Sequence, residues 1–147
     1  MIEFLLAGVP LLLVVMSILQ LSLLWVGKGA VDTAAHLAAR KFARFARVDF
    51  RNARQDAFLE ASRTCRNRPG GSLSSAAMTT LDITRDGDRR PDRAIAGEAL
   101  CVRLTHGVEL IVPWVDRILY SLSPGEKFRL GDRYYLKLHA TRWVTVE

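Results

Sequence analysis

The sequence predicts an α+β protein in which a long N-terminal helix, half transmembrane and half amphipathic, precedes a small antiparallel β-sheet domain. Three observations predict this class. An uncharged apolar run opens the chain, Ala and Phe residues then follow at helical spacing, and apolar and polar residues alternate towards the C-terminus. We divide the chain into a transmembrane helix (1–27), an amphipathic continuation helix (28–66) and the sheet domain (67–147).

The apolar run extends from Phe4 to Val26 without a charged residue, and its polar members are Ser17, Gln20 and Ser22. As a helix, the run would span roughly 34 Å, enough to cross a hydrocarbon layer about 30 Å thick. A buried core helix would need a larger domain around it than the remaining Arg- and Asp-rich residues can form. A cleaved secretory signal would need a basic start and a small-residue cleavage site, and neither is evident. The run therefore predicts a membrane span.

The second helical pattern begins at Ala30 and extends to about Arg63. Apolar side chains at intervals of four and three residues lie on one side of such a helix, and basic side chains fill the other. The predicted helix-packing face is Val31, Ala35, Ala38, Phe42 and Phe45. We expect this face to pack on a compact domain or on a neighbouring helix, at the close distance that alanine permits.

Alternation with a period of two predicts strands in the rest of the chain. The candidates are Met78–Arg85, a strand from Leu100 towards Val112, and Arg133–Val146. Gly107 predicts a bulge or bend in the second strand. Loops are predicted at Pro69-Gly70-Gly71 and from Asp86 to Pro91, and a short helix or ordered loop from Pro113 to Leu122.

The chain is basic, with 21 Lys and Arg against 15 Asp and Glu. Much of the excess lies along the second helical pattern, at Arg40, Lys41, Arg44, Arg47, Arg51, Arg54, Arg63, Arg66 and Arg68. Such a face suits anionic lipid headgroups just outside a membrane, and it is also typical of a solvated helix. No nucleic-acid-binding module accompanies the charge, so we predict no nucleic-acid partner.

Few side chains in the sequence suggest chemistry. Cys65 and Cys101 lie far apart and without a neighbouring His, which is a poor metal-ligand pattern. In an oxidising compartment we expect them to form a disulfide worth roughly 3–4 kcal/mol, and the alternative is two buried thiols. His36, His106 and His139 do not cluster, and no phosphate-binding loop or nucleophile elbow is present. We therefore predict no catalytic residue, metal, cofactor or small-molecule substrate.

The opening Ile2-Glu3-Phe4-Leu5-Leu6, with Pro10 and the following Leu/Val run, resembles the start of TadE-like proteins. These are minor pilins, or pseudopilins, of the tight-adherence (Tad/Flp) pilus. The segment Val31 to Phe45 is similar to the family's Ala-rich continuation. The runs VRLTHGVELIVPW and YYLKLHATRWVTVE resemble its closing strands. The order of helix, loop and sheet is likewise that of type IV pilin-like folds.

The resemblance implies a non-enzymatic, membrane-anchored minor pilin that primes or tips a Tad/Flp-type pilus and supports surface attachment. Its implied partners are other pilin or minor pilin subunits, the inner-membrane pilus assembly machinery and membrane lipid. The implied subunit contacts are Glu3, Phe4 and Pro10, with Glu3 pairing with the N-terminal amine of an adjacent subunit. In the family a basic leader ending in Gly is removed shortly before this Glu, whereas Met1-Ile2 precedes it here.

Two indicators of membrane orientation conflict. Lys28, Arg40 and Lys41 follow the span, and the positive-inside rule alone would place the C-terminal domain in the cytoplasm. The cysteine pair and the family's leader favour a single-pass protein of a bacterial inner membrane with a periplasmic domain. The alternatives are a general secretion pseudopilin, a membrane-anchored sensor or ligand-binding domain, and a cytoplasm-facing adaptor for acidic lipid or nucleic acid.

Overall fold

The computed structural model describes residues 2–66, 76–85, 91 and 93–147, with side chains from residue 7 onward. The helices are α1 (Ile2–Phe45), α2 (Phe50–Arg66) and α3 (Val115–Leu122). The strands are β1 (Thr79–Arg85), β2 (Ala99–Leu110), β3 (Lys127–Leu130) and β4 (Arg133–Thr145). The predicted α+β class is confirmed, with a long apolar N-terminal helix ahead of an antiparallel sheet. The loops predicted at 69–71 and 86–90 lie outside the described residues.

The four strands form one antiparallel sheet in the order β1-β2-β4-β3. Side chains alternate across β2, so Leu100, Val102 and Leu104 share one face, and all three are fully buried. Helix α1 packs over β2 and β4, and α2 lies beside β1. One apolar core therefore lies between the helices and a single face of the sheet, and it includes residues from Val31 to Val146.

The continuous helix predicted for residues 28–66 is interrupted at residues 46–49, where the chain turns and α2 folds back along α1. Asp49 provides the physical reason, because its Oδ1 accepts the backbone N–H of Asn52 at 3.1 Å and so caps a new helix. Across the turn, the rings of Phe42 and Phe50 meet edge to face with centroids 5.4 Å apart. The Ala/Phe face of α1 therefore packs both on the chain's own second helix and on its sheet.

Gly107 does not form the predicted bulge, since β2 pairs with β4 residue by residue through this position. Its lack of a side chain instead makes room for Phe128, because a Cβ at Gly107 would lie 2.8 Å from the Phe128 ring. Phe128 lies in β3, a strand too short to be recognised by alternation. The Gly131-Asp132 turn, with Gly131 at φ 60°, is the hairpin signal that could have revealed it.

Candidate membrane and assembly site

The first half of α1 is an apolar helix that is exposed around most of its circumference. Seven of its large apolar side chains are at least 46% exposed: Val9, Leu11, Leu12, Val14, Val15, Ile18 and Leu19. By length and composition α1 can cross a membrane, and almost none of this apolar stretch is buried inside the protein. A core helix would be covered by its own fold, so the exposure supports a membrane anchor over a core helix.

The two serines in the apolar run satisfy their hydroxyl donors within the helix. Ser17 donates to the carbonyl of Leu13 at 2.7 Å, and Ser22 donates to the carbonyl of Ile18 at 2.8 Å. Such bonds to the preceding turn leave no unpaired hydroxyl hydrogen facing hydrocarbon. The two serines therefore do not oppose insertion into lipid or packing against apolar helices.

Gln20 is the residue at which the sheet domain meets the apolar run. Its side chain is fully buried, and its Oε1 accepts the backbone N–H groups of Ile111 at 3.0 Å and Val112 at 2.8 Å, just after β2. Because both backbone groups are donors, the amide oxygen of Gln20, and not its nitrogen, must face them. The Nε2 has no hydrogen-bond partner among the described residues. One amide thus joins the sheet to the membrane helix.

Beyond Gln20 the helix lies directly on the sheet. A Cβ at Gly27 would lie 3.2 Å from both methyl groups of Val108, so this glycine sets the close approach. One residue later, the Lys28 ammonium binds Asp32 at 3.1 Å and also the carbonyl of His139 in β4. Trp25, in contrast, is 83% exposed. The chain therefore divides at Gln20 into an uncovered apolar part and a part covered by its own domain.

The predicted subunit contacts all lie in the N-terminal part of α1, ahead of Gln20. Pro10 is inside the helix, with an exposed side chain. Glu3 and Phe4 are in the first turns of α1, and their side chains lie outside the described part of the structure. Their roles remain predictions.

The predicted helix-packing face divides between core and surface. Val31, Ala35, Ala38 and Phe42 are fully buried. Phe45, in the last turn of α1, is 53% exposed and lies beside Lys41 and Glu60, the ion pair that joins the two helices at 3.3 Å. Alanines line the buried surface of α2: Ala53, Ala57 and Ala61. Small side chains on both helices account for the tight hairpin.

The predicted disulfide between Cys65 and Cys101 is absent, and both side chains are buried. Cys101 alternates with Leu100 and Val102, whose side chains face the helices, so its own side chain points to the opposite face of the sheet. Cys65 belongs to α2 and packs in the core on the helical side. The sheet therefore separates the two thiols, an arrangement that spacing in the sequence could not reveal.

The histidines are placed as polar residues of the fold. His36 is exposed on α1, and the His139 Nδ1 lies 2.9 Å from the Thr105 hydroxyl. His106 is buried, with its Nδ1 2.8 Å from the Thr79 hydroxyl, and this burial lowers the pKa of the imidazole. Among the described residues, no three His, Cys, Asp or Glu side chains come together as a possible metal site.

Two residues that matter in this site escaped sequence reasoning. Asp49 is of a residue type favoured at helix N-caps, but this signal is hidden because the apolar pattern continues across the turn. In the sequence, Gln20 is distinguished only as a polar member of the apolar run. No local signal indicates its partners, since they lie 91 and 92 residues further along the chain.

These features define a membrane-anchored α+β protein whose long N-terminal helix is uncovered in its apolar half and covered by its own domain in the other. Residues 1–40 match the family model described as TadE-like protein, which confirms the resemblance over this segment. That family is structural rather than catalytic, and the match associates the chain with the Tad pilus system. Comparisons with curated proteins and with solved structures gave no match.

Proposed function

We propose that this protein is a minor pilin of a Tad/Flp-type pilus, held in a bacterial inner membrane with its sheet domain in the periplasm. The proposal is carried by the TadE-like match over residues 1–40, a segment that includes the uncovered apolar part of α1. A helix that is apolar around most of its surface is stable in lipid and in a bundle of similar helices. This property suits a subunit stored in the membrane and later packed into a priming or tip complex with a related minor pilin.

Glu3 is the proposed assembly contact, because a carboxylate at the edge of an apolar span costs free energy unless it meets a partner. Glu3→Gln removes the charge and keeps the shape. We expect the variant to remain in the membrane fraction, while its amount in sheared pili falls roughly tenfold, the equivalent of about 1.4 kcal/mol. Asp56→Asn, on the exposed side of α2, is the matched control. Normal incorporation of Glu3→Gln would refute this role.

A reporter fusion tests the orientation of the domain. The Glu147 amide donates to the Ala43 carbonyl at 3.2 Å, so the C-terminal residue lies near the end of α1 that is remote from the apolar run. Alkaline phosphatase, which is active only outside the cytosol, can be fused there without touching the Gln20 contact. We expect an active fusion. An inactive but stable fusion would favour the cytoplasm-facing adaptor.

A second candidate function, ligand binding by the domain, would need a pocket with converging polar groups. An open groove of about 570 Å³ lies between α2 and β1, and its lining includes Arg54, Phe58 and Leu81. The Arg54 guanidinium, however, donates to the Leu81 carbonyl at 3.5 Å and so covers the edge of β1. This contact favours protection of a sheet edge over recognition of a ligand.

A further inference from the structure

We infer that α3 is a second membrane contact, whose outer apolar stripe inserts at the headgroup–acyl boundary of the bilayer that α1 crosses. The α3 stripe consists of Trp114, Ile118 and Leu122. The inference goes beyond the minor pilin function and rests on only one part of it, the anchoring of α1 in lipid.

The α3 stripe is an apolar surface that the fold itself leaves unused. Its three residues are four positions apart and so lie on one side of the helix, with exposed fractions of 68%, 48% and 75%. The neighbouring side of α3 already supplies the contact with the domain, because Val115 is buried and Leu119 is half-buried. The outer stripe is therefore available for an apolar environment outside the protein.

The position of α3 brings this stripe to the membrane. Ile111 and Val112, which bind Gln20, end only three residues before α3 begins, and α3 also packs against α1. Ahead of Gln20 the apolar helix is uncovered, whereas beyond it the domain covers one side. The stripe therefore lies at the end of the domain that faces the apolar span.

The length of the apolar run determines the depth of α3. From Phe4, the first residue after the charged Glu3, to Leu19 there are sixteen residues, which rise about 24 Å as a helix. A hydrocarbon layer of roughly 30 Å must extend past Gln20 to be spanned. The chain around Ile111 and Val112, which packs on Gln20, then lies at the boundary of the bilayer. An exposed apolar stripe is more stable at this boundary than in water.

The conformation of Trp114 supports the same surface. Its φ of 67° is unusual for a bulky residue and costs on the order of 1–3 kcal/mol, yet the indole that it positions is exposed. Trp25 is exposed five residues after Gln20, on a different side of α1. Indole rings concentrate at membrane–water boundaries, and Trp25 and Trp114 both lie close to the Gln20 junction.

Carbonyl groups at the C-terminal end of α3 have a hydrogen-bond donor within the protein, which suits a site with little water. The Lys127 ammonium donates to the carbonyls of Tyr120 at 2.7 Å and Ser123 at 3.2 Å. Carbonyls at the end of a helix otherwise need water, which is scarce at the acyl boundary. An exposed Arg117 next to Ile118 can extend towards headgroup phosphates.

Quenching of tryptophan fluorescence by brominated lipid tests the inference on the full chain. Three variants each keep one tryptophan, Trp25, Trp114 or Trp143, with phenylalanine at the other two positions. Each is reconstituted in phosphatidylcholine–phosphatidylglycerol vesicles with or without bromine near the headgroup end of the acyl chains. We expect the emission of Trp25 and Trp114 to fall at least about twofold, and that of Trp143 to stay unchanged.

Trp143 is a matched control because it is 62% exposed, similar to Trp114, and lies at the far end of the sheet. It pairs with Cys101, nine residues from Leu110 and so about 30 Å from that end of β2. Circular dichroism verifies that each variant is folded. If Trp25 is quenched but Trp114 is quenched no more than Trp143, the α3 contact is refuted and the α1 span is not. An unquenched Trp25 would overturn the span as well.

A charge on the stripe provides a second test that does not alter Trp114. Leu122→Asp, in the variant with Trp114 as its only tryptophan, should restore most of the lost emission, because a carboxylate is strongly disfavoured near acyl chains. Val48→Asp, which adds the same charge at an 88% exposed residue of the α1–α2 turn, should leave the quenching as it was. Equal quenching in both variants would contradict insertion of the stripe.

Discussion

A glutamine within an apolar helix is costly wherever its amide lacks a partner, and within the described part of the chain only the oxygen of Gln20 has partners. The two N–H groups that it accepts follow β2 directly, just beyond the last residue pair of the β2–β4 ladder, Leu110 with Tyr134. The Gln20 side chain therefore accepts hydrogen bonds of the kind that a neighbouring strand accepts within a sheet. It does so at the boundary between the membrane anchor and the domain.

Replacing Gln20 should weaken the contact between the domain and the span. In Gln20→Leu the backbone N–H groups of Ile111 and Val112 lose their acceptor, and each unsatisfied donor costs about 1–3 kcal/mol. We expect the free energy of unfolding in detergent, followed by tryptophan fluorescence, to fall by roughly 2 kcal/mol or more. Ser17→Ala, which removes only a bond within the helix, should change it by less than about 0.5 kcal/mol. Equal effects of the two substitutions would contradict the role of Gln20.

His106 should make the stability of the domain dependent on pH. Burial lowers the pKa of its imidazole below the usual 6.5, so the folded state holds the ring neutral where the unfolded state binds a proton. Above about pH 6.5 the ring is neutral in both states and does not affect the free energy of unfolding. Below this pH the unfolded state binds a proton that the folded state does not, so the free energy of unfolding falls as the pH decreases. The slope for one proton is at most about 1.4 kcal/mol per pH unit.

Chemical unfolding between pH 7 and pH 5 measures this slope. The His106→Gln variant should show a shallower decrease than the unchanged protein over that interval. His36→Gln, at an exposed position of α1, should retain the original slope. A slope that His106→Gln does not alter would assign the pH dependence to other groups.

At the scale of elements, the helices and strands that could be predicted are those in which apolar residues recur at helical or alternating spacing. The apolar run predicted the beginning of α1. The alternation of apolar and polar residues predicted β1, β2 and β4 to within two residues of their observed bounds. The interruption at residues 46–49 is not visible in the sequence because the apolar stripe passes from Ala46 to Phe50 without a gap. The strand β3 depends on the turn before β4 and on the space left by Gly107, which are features of tertiary structure.

Capping by Asp49 should be a measurable part of α2. Asp49→Ala removes the oxygen that accepts the Asn52 N–H, and losses of this kind are typically about 1 kcal/mol. Thermal unfolding of the full chain in detergent should show the decrease. Asp49→Ser retains a capping oxygen and should lose less than half as much. Identical losses for the two variants would indicate that the turn is held by the pairing of Phe42 with Phe50 instead.

For the molecule as a whole, the absence of a disulfide leaves the apolar core and a few hydrogen bonds to hold the helices and the sheet together. We expect the melting temperature to be the same with and without reductant. A disulfide would contribute about 3–4 kcal/mol, enough to change the melting temperature by more than 10 °C in a domain of this size. A decrease of that order on reduction would show that the two cysteines are cross-linked after all.

The folding back of α2 also limits how copies of the protein can meet. Beyond Gln20, the chain's own second helix and sheet occupy much of the circumference of α1, and the rest carries exposed side chains such as His36, Arg40 and Arg44. Large apolar side chains are exposed in close succession from Val9 to Leu19, whereas beyond Gln20 they are interspersed, as at Leu21, Trp25 and Leu37. In an assembly of these subunits, apolar contacts between helices would therefore be densest over this segment, and the sheet domains would lie outside it.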